Sequence, residues 1–97
     1  MTKPAASGDR DPVDLHVGAK LRAFRKQRGV PQKALAEAVD VSFQQLHKYE
    51  TGANRISAAV LYRLARRLAV PIDAFFEGLP DPALGDPAFP IEQGFRQ

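Results

Sequence analysis

Apolar residues recur along the chain at spacings of three and four, and no segment alternates as a half-buried strand would. Leu15, Gly18/Ala19 and Leu21 mark a first helix, with Leu21 and Phe24 on its apolar side and Asp14 as its N-cap. Gly29 ends it, after Arg25, Lys26 and Arg28 have loaded its last turn with cations that suit the helix dipole. Pro31 opens a second helix, QKALAEAV, with Leu35, Ala36 and Val39 inward. Asp40 and Val41 form a turn. Ser42 caps a third helix and Gly52 stops it. Ser57 caps a fourth, which carries Val60, Leu61, Leu64, Ala65 and Leu68 at helical spacing. Pro71 ends that helix, and Ile72 to Glu77, with Phe75 and Phe76, make a short fifth. The expected fold is all-α: a compact bundle of about five short helices around one core.

Both ends break this pattern. Residues 1–14, MTKPAASGDRDPVD, are polar and read as a flexible N-terminal arm. Residues 15–77 hold the helices. The tail, 78–97, is Pro-rich, with four prolines and three glycines, and cannot hold a long helix. It still carries Leu79, Leu84, Phe89, Ile91 and Phe95, which suits packing on the domain or on a partner. No internal repeat is apparent.

The third helix poses the sharpest question. Turning it by about 100° per residue puts Ser42, Leu46 and Tyr49 inward, and Phe43, Gln44, His47 and Lys48 outward, with Gln45 on the flank. A very short turn joins it to the second helix, which forces a steep crossing, as in a helix-turn-helix. Charge sharpens the picture. Between Leu15 and Val70 stand four lysines and seven arginines against three acids, a net of +8 within a chain of net +3. Residues 1–14 sum to −1 and residues 71–97 to −4. A basic centre between acidic ends fits a polyanionic partner.

Other chemistry is scarce. The chain has no cysteine, so disulfides, thiolate catalysis and cysteine-based zinc sites are excluded. Its two histidines, His16 and His47, are too few and too far apart for a metal site. There is no Gly-rich phosphate loop and no His–carboxylate pair at useful spacing, so no enzyme and no cofactor is implied. No apolar run reaches the length of a membrane span, and the N-terminus lacks the apolar core of a signal peptide. A cytoplasmic protein is the simplest expectation.

The run from Arg25 to Phe76 resembles the lambda-repressor-like, Cro/C1-type (XRE family) DNA-binding domain of bacteria and phages. The marks are Gln32 after the first loop, the small Ala36 where two helices touch, Val41-Ser42 before the third helix, and Glu50 and Gly52 at its end. An apolar fourth helix and a VP…FF ending complete them. Two departures stand out. Pro31 replaces a usual Ser or Thr, and Asp40 a usual Gly, which implies local weakening within the same fold.

The resemblance implies named roles. Phe43, Gln44 and Lys48 would read bases in the major groove. Glutamine suits adenine, lysine suits guanine, and Phe43 suits a thymine methyl. Gln32, Ser42, Gln45, His47, Thr51, Asn54 and Arg55 would contact phosphates. Arg25 and Glu50 would form a structural ion pair that fixes the third helix. Arg63, Arg66 and Arg67 make a basic stripe on the fourth helix, on a face the family turns mostly away from DNA. The expected function is a sequence-specific transcriptional regulator, a repressor, binding double-stranded DNA as a homodimer. The alternative is a protein-interaction module on the same fold, such as an anti-activator or antitoxin, that engages a protein partner through the C-terminal tail.

Overall fold

The computed structural model describes residues 9–90, and in it the first helix, α1 (Pro12–Gln27), opens from Asp11. Asp11 Oδ1 accepts a hydrogen bond from the Val13 N–H at 2.7 Å. Pro12 follows at a position where it has no needed N–H to lose. The cap is therefore Asp11 and not Asp14, and the helix begins inside the segment read as an arm. Asp14 sits in the first turn, where a carboxylate complements the helix dipole. Residues 1–8 of that arm lie outside the described residues.

The next three helices are α2 (Gln32–Ala38), α3 (Phe43–Thr51) and α4 (Ala58–Leu68). Pro31 caps α2 without a side-chain hydrogen bond. Ser42 Oγ accepts from the Gln45 N–H at 2.9 Å, and Ser57 Oγ from the Val60 N–H at 3.2 Å. Ser42 is thus an exposed cap and not part of the inward face. Gly52 closes α3 in the left-handed conformation, with φ 76°. Two residues with a Cβ also adopt it: Asp40 (φ 63°) between α2 and α3, and Ala69 (φ 57°) after α4. That geometry is strained for any L-residue, less so for Asp.

The fifth helix exists as a 3-10 turn, Ile72–Phe76. Pro71 in front and Gly78 and Pro80 behind leave too few residues for an α-helix to propagate. Its Phe75 is fully buried and meets Phe24 edge-on, with ring centroids 5.2 Å apart. Leu21, Leu35, Leu46, Leu64 and Leu68 are the other large side chains fully withdrawn from water. Each contributes about 1.5–3 kcal/mol by that withdrawal. Among the described residues there are four α-helices and no strand.

One glycine sets the spacing of α1 and α3. A Cβ at Gly18 would run into the carbonyl oxygens of Tyr49 and Glu50. Only a hydrogen side chain lets the two backbones lie this close.

The tail does not cover the core over its described part. Leu84 is 81% exposed and Phe89 71%. It also contains a repeat that the apolar pattern hides: Asp81-Pro82-Ala83-Leu84 and Asp86-Pro87-Ala88-Phe89 share one Asp-capped hydrogen-bond pattern, the first as a 3-10 turn and the second as a simple turn. Ile91 and Phe95 lie outside the described residues.

Candidate nucleic-acid interface

The outer surface of α3 is built by its own periodicity. Leu46 (0% exposed) and Tyr49 (6%) anchor one side in the core. Phe43, Gln44, His47 and Lys48 stand exposed on the other, and Gln45 is half-buried at the edge. Asn54, in the loop after α3, donates from Nδ2 to Gln45 Oε1 at 3.2 Å. Thr51 Oγ1 donates back to the Lys48 carbonyl at 3.3 Å.

The far end of α3 is pinned by a buried cluster. Arg25 Nε donates to Glu50 Oε2 at 2.5 Å, and Arg25 Nη2 to Oε1 at 3.1 Å. Gln32 Nε2 adds a third donor to Oε1 at 2.8 Å. Arg25 Nη1 reaches the Val30 carbonyl at 2.9 Å. Three helices therefore meet at one carboxylate. Gln32, which the family pattern offers to a phosphate, here donates one of its two amide hydrogens to Glu50. Among the described residues no buried side-chain nitrogen or oxygen lacks a partner.

A second set of contacts closes the loop after α3 against the start of α1. Arg55 Nε lies 3.2 and 3.1 Å from the two Asp14 carboxylate oxygens, and Nη2 lies 3.7 Å from Asp11 Oδ2. Its hydrogen bond and charge contact with Asp14 raise the Arg55 guanidinium above the ordinary arginine value. Arg10 Nη1 donates to the Thr51 carbonyl at 2.8 Å. The family pattern pointed to neither Arg10 nor the two aspartates. Their signal was the Asp-Pro-Val-Asp run at the helix start, which marks a cap and places two carboxylates on one turn.

Arg63, Arg66 and Arg67 are exposed on α4, beside Tyr62. Arg67 Nη2 reaches the Ala38 carbonyl at 3.5 Å, and a hydrogen bond with Tyr62 raises Arg66 above its ordinary value. Among the described residues no three His, Asp or Glu side chains gather as a metal site would need. No helix among them is long and apolar enough to cross a membrane.

Comparison with known proteins places this geometry. Residues 21–75 match the helix-turn-helix (HTH_3) family. A transcriptional regulator in the ATPase CF(0) region of Rhodospirillum rubrum is 52% identical over 75 residues, covering 77% of this chain and 67% of that protein. The clp gene regulator ClgR of Corynebacterium glutamicum superposes with a TM-score of 0.65 at 30% identity, over 68% of this chain and 86% of ClgR. The P22 c2 repressor, solved with a synthetic operator, gives 0.59 at 27% identity, over 64% of this chain and 94% of the repressor. The matched part spans about half the length of several other regulators it resembles. With a match over more than half its length, this chain belongs to the Cro/C1-type helix-turn-helix family, a family of DNA-binding transcription regulators and not of enzymes.

Proposed function

We propose that this regulator binds an inverted-repeat operator as a homodimer, inserts α3 into the major groove, and acts as a repressor. The observation that carries the reading is the outer face of α3. Phe43, Gln44 and Lys48 stand exposed on a helix whose opposite face and C-terminal end are locked into the core. A base-reading helix needs that combination, because a bidentate contact is lost if the helix rocks. Gln44 can accept from adenine N6 and donate to N7 together, and Lys48 can donate to guanine O6 or N7. Phe43 can pack on a thymine methyl.

Phosphate contacts fall to the rim: Ser42, Gln45, His47, Thr51, Asn54, and Arg55, whose guanidinium has donors beyond those engaged by Asp14. Gln32 donates one Nε2 hydrogen to Glu50 and has a second to offer a phosphate. Arg25 and Glu50 hold the pose of α3 and touch no base. Two copies on two half-sites double the number of bases read, which a single short helix cannot supply. Occupancy of a promoter then excludes other proteins from it.

Selection from a randomised duplex library tests the reading. The expected product is an inverted repeat with half-sites about 10 base pairs apart, centre to centre. Its affinity should fall steeply as salt rises. Binding that depends on salt but never on sequence would remove the base-reading roles of Gln44 and Lys48.

A further inference from the structure

The chain beyond the 3-10 turn carries order that DNA binding does not require. In each of its two Asp-Pro turns the carboxylate accepts from the N–H two residues on: Asp81 from Ala83 and Asp86 from Ala88, both at 2.9 Å. In each, the aspartate carbonyl accepts from the N–H three residues on, at 3.0 Å for Leu84 and 2.8 Å for Phe89. Proline fixes φ at the second position. The fourth position then offers a large apolar side chain to solvent, first Leu84 and then Phe89, the two most exposed large hydrophobics among the described residues. Side chains held on such turns lose little further freedom when they bind. An unconstrained linker would have no need of this.

The charge of this arm says what it fits. From Glu77 to Pro90 it holds Glu77, Asp81 and Asp86 and no cation. Its receptor should offer an apolar contact inside a cationic rim. The α4 surface has that composition: Tyr62, 55% exposed, beside Arg63, Arg66 and Arg67. Among the described residues no carboxylate pairs with those three arginines. The arm leaves its own α4 bare, since Leu84 and Phe89 remain exposed. Five positions apart, the two anchors are separated by at most about 17 Å. The eleven-residue α4 is about as long.

We propose that the C-terminal arm of one copy docks on α4 of a second copy. Leu84 and Phe89 pack on Tyr62 and the arginine stems, and Asp81 and Asp86 face Arg63, Arg66 and Arg67. Done reciprocally, the exchange closes a two-fold pair and leaves no open end. This rests on the dimeric reading above and names the contact that makes the dimer.

The test is sedimentation of the full chain at low salt, with three variants. Leu84→Ser/Phe89→Ser removes the anchors. Arg63→Glu/Arg66→Glu/Arg67→Glu reverses the rim. The third, Arg63→Lys/Arg66→Lys/Arg67→Lys, keeps the charge of the rim and leaves Asp81 and Asp86 in place, since their carboxylates cap the two turns. All changes are at exposed positions, and circular dichroism checks that each variant folds. We expect the first two to weaken the dimer at least about tenfold, as loss of central anchors does, and the third to keep it. A dimer indifferent to both the anchors and the rim would overturn the docking and leave the dimeric reading intact. A chain that stays monomeric at every concentration would overturn both. The absence of cysteine adds a second readout. Chains carrying Ala88→Cys, mixed with chains carrying Ala59→Cys on α4, should join by a disulfide between copies. If the two cysteines placed in one chain join only within it, the arm docks on its own domain and the proposal fails.

Discussion

Two ion pairs tie α1 to the region around α3, and the main difference between them is access to water. Arg25 and Glu50 are 10% and 2% exposed in their side chains, and Arg55 and Asp14 are 72% and 17% exposed. Both pairs join an arginine to a carboxylate through more than one contact. In the buried pair neither charge can return to water if its partner is removed, and Gln32 and the Val30 carbonyl complete the set. In the exposed pair, water replaces whatever is taken away. The same chemistry therefore holds the reading helix in one place and only tethers a loop in the other.

Glu50→Ala is the strongest way to break the comparison. It strands a buried guanidinium and should remove about 3–5 kcal/mol of stability, measured by urea unfolding. DNA affinity should fall with it. If unfolding shows a loss no larger than at the surface pair, burial is not what separates the two. Gly18→Ala tests the close approach that brings Glu50 beside α1. Its Cβ would press on the Tyr49 and Glu50 carbonyls, and overpacking of this kind costs about 1–3 kcal/mol. Lys48→Ala sharpens the contrast from the other side. Unfolding should be unchanged, while discrimination at one operator position drops by about 1–3 kcal/mol in competition binding. Arg55→Ala should do least: a thermal midpoint close to that of the parent chain, and a difference that vanishes at high salt. Because Asp14 holds Arg55 above the ordinary arginine value, what the pair contributes is present at all lower pH where Asp14 is ionised. On the arginine side it is lost only as pH rises through that raised value.

The sequence made some of this legible and hid the rest for physical reasons. Caps are local, so Ser42, Ser57, Gly29 and Gly52 could be placed from neighbours alone. Asp11 was missed because Asp-Pro looks like a turn in an arm until a helix is seen to follow it. The 3-10 form of Ile72–Phe76 reflects how few residues lie between Pro71 and Gly78, which an apolar pattern does not weigh. Exposed Phe43 and Lys48 follow from helical periodicity. The partners of Gln32, Asn54 and Arg55 do not, since each is a contact between separate segments of the chain. The paired Asp-Pro turns are hard to see in the apolar pattern because Leu84 and Phe89 differ, while what they share is a hydrogen-bonding cap by the preceding aspartate.

Asp40 and Ala69 hold the backbone in the left-handed conformation with a Cβ in place. Aspartate codons and alanine codons each become glycine codons by changing one base. Relief of the strain at the α2–α3 turn and at the end of α4 is thus a single mutation away in each case. A lineage of this protein could offset a destabilising change on its DNA-reading surface without altering any residue on that surface. The two strained corners are where compensating changes should appear first when α3 is evolved toward a new operator.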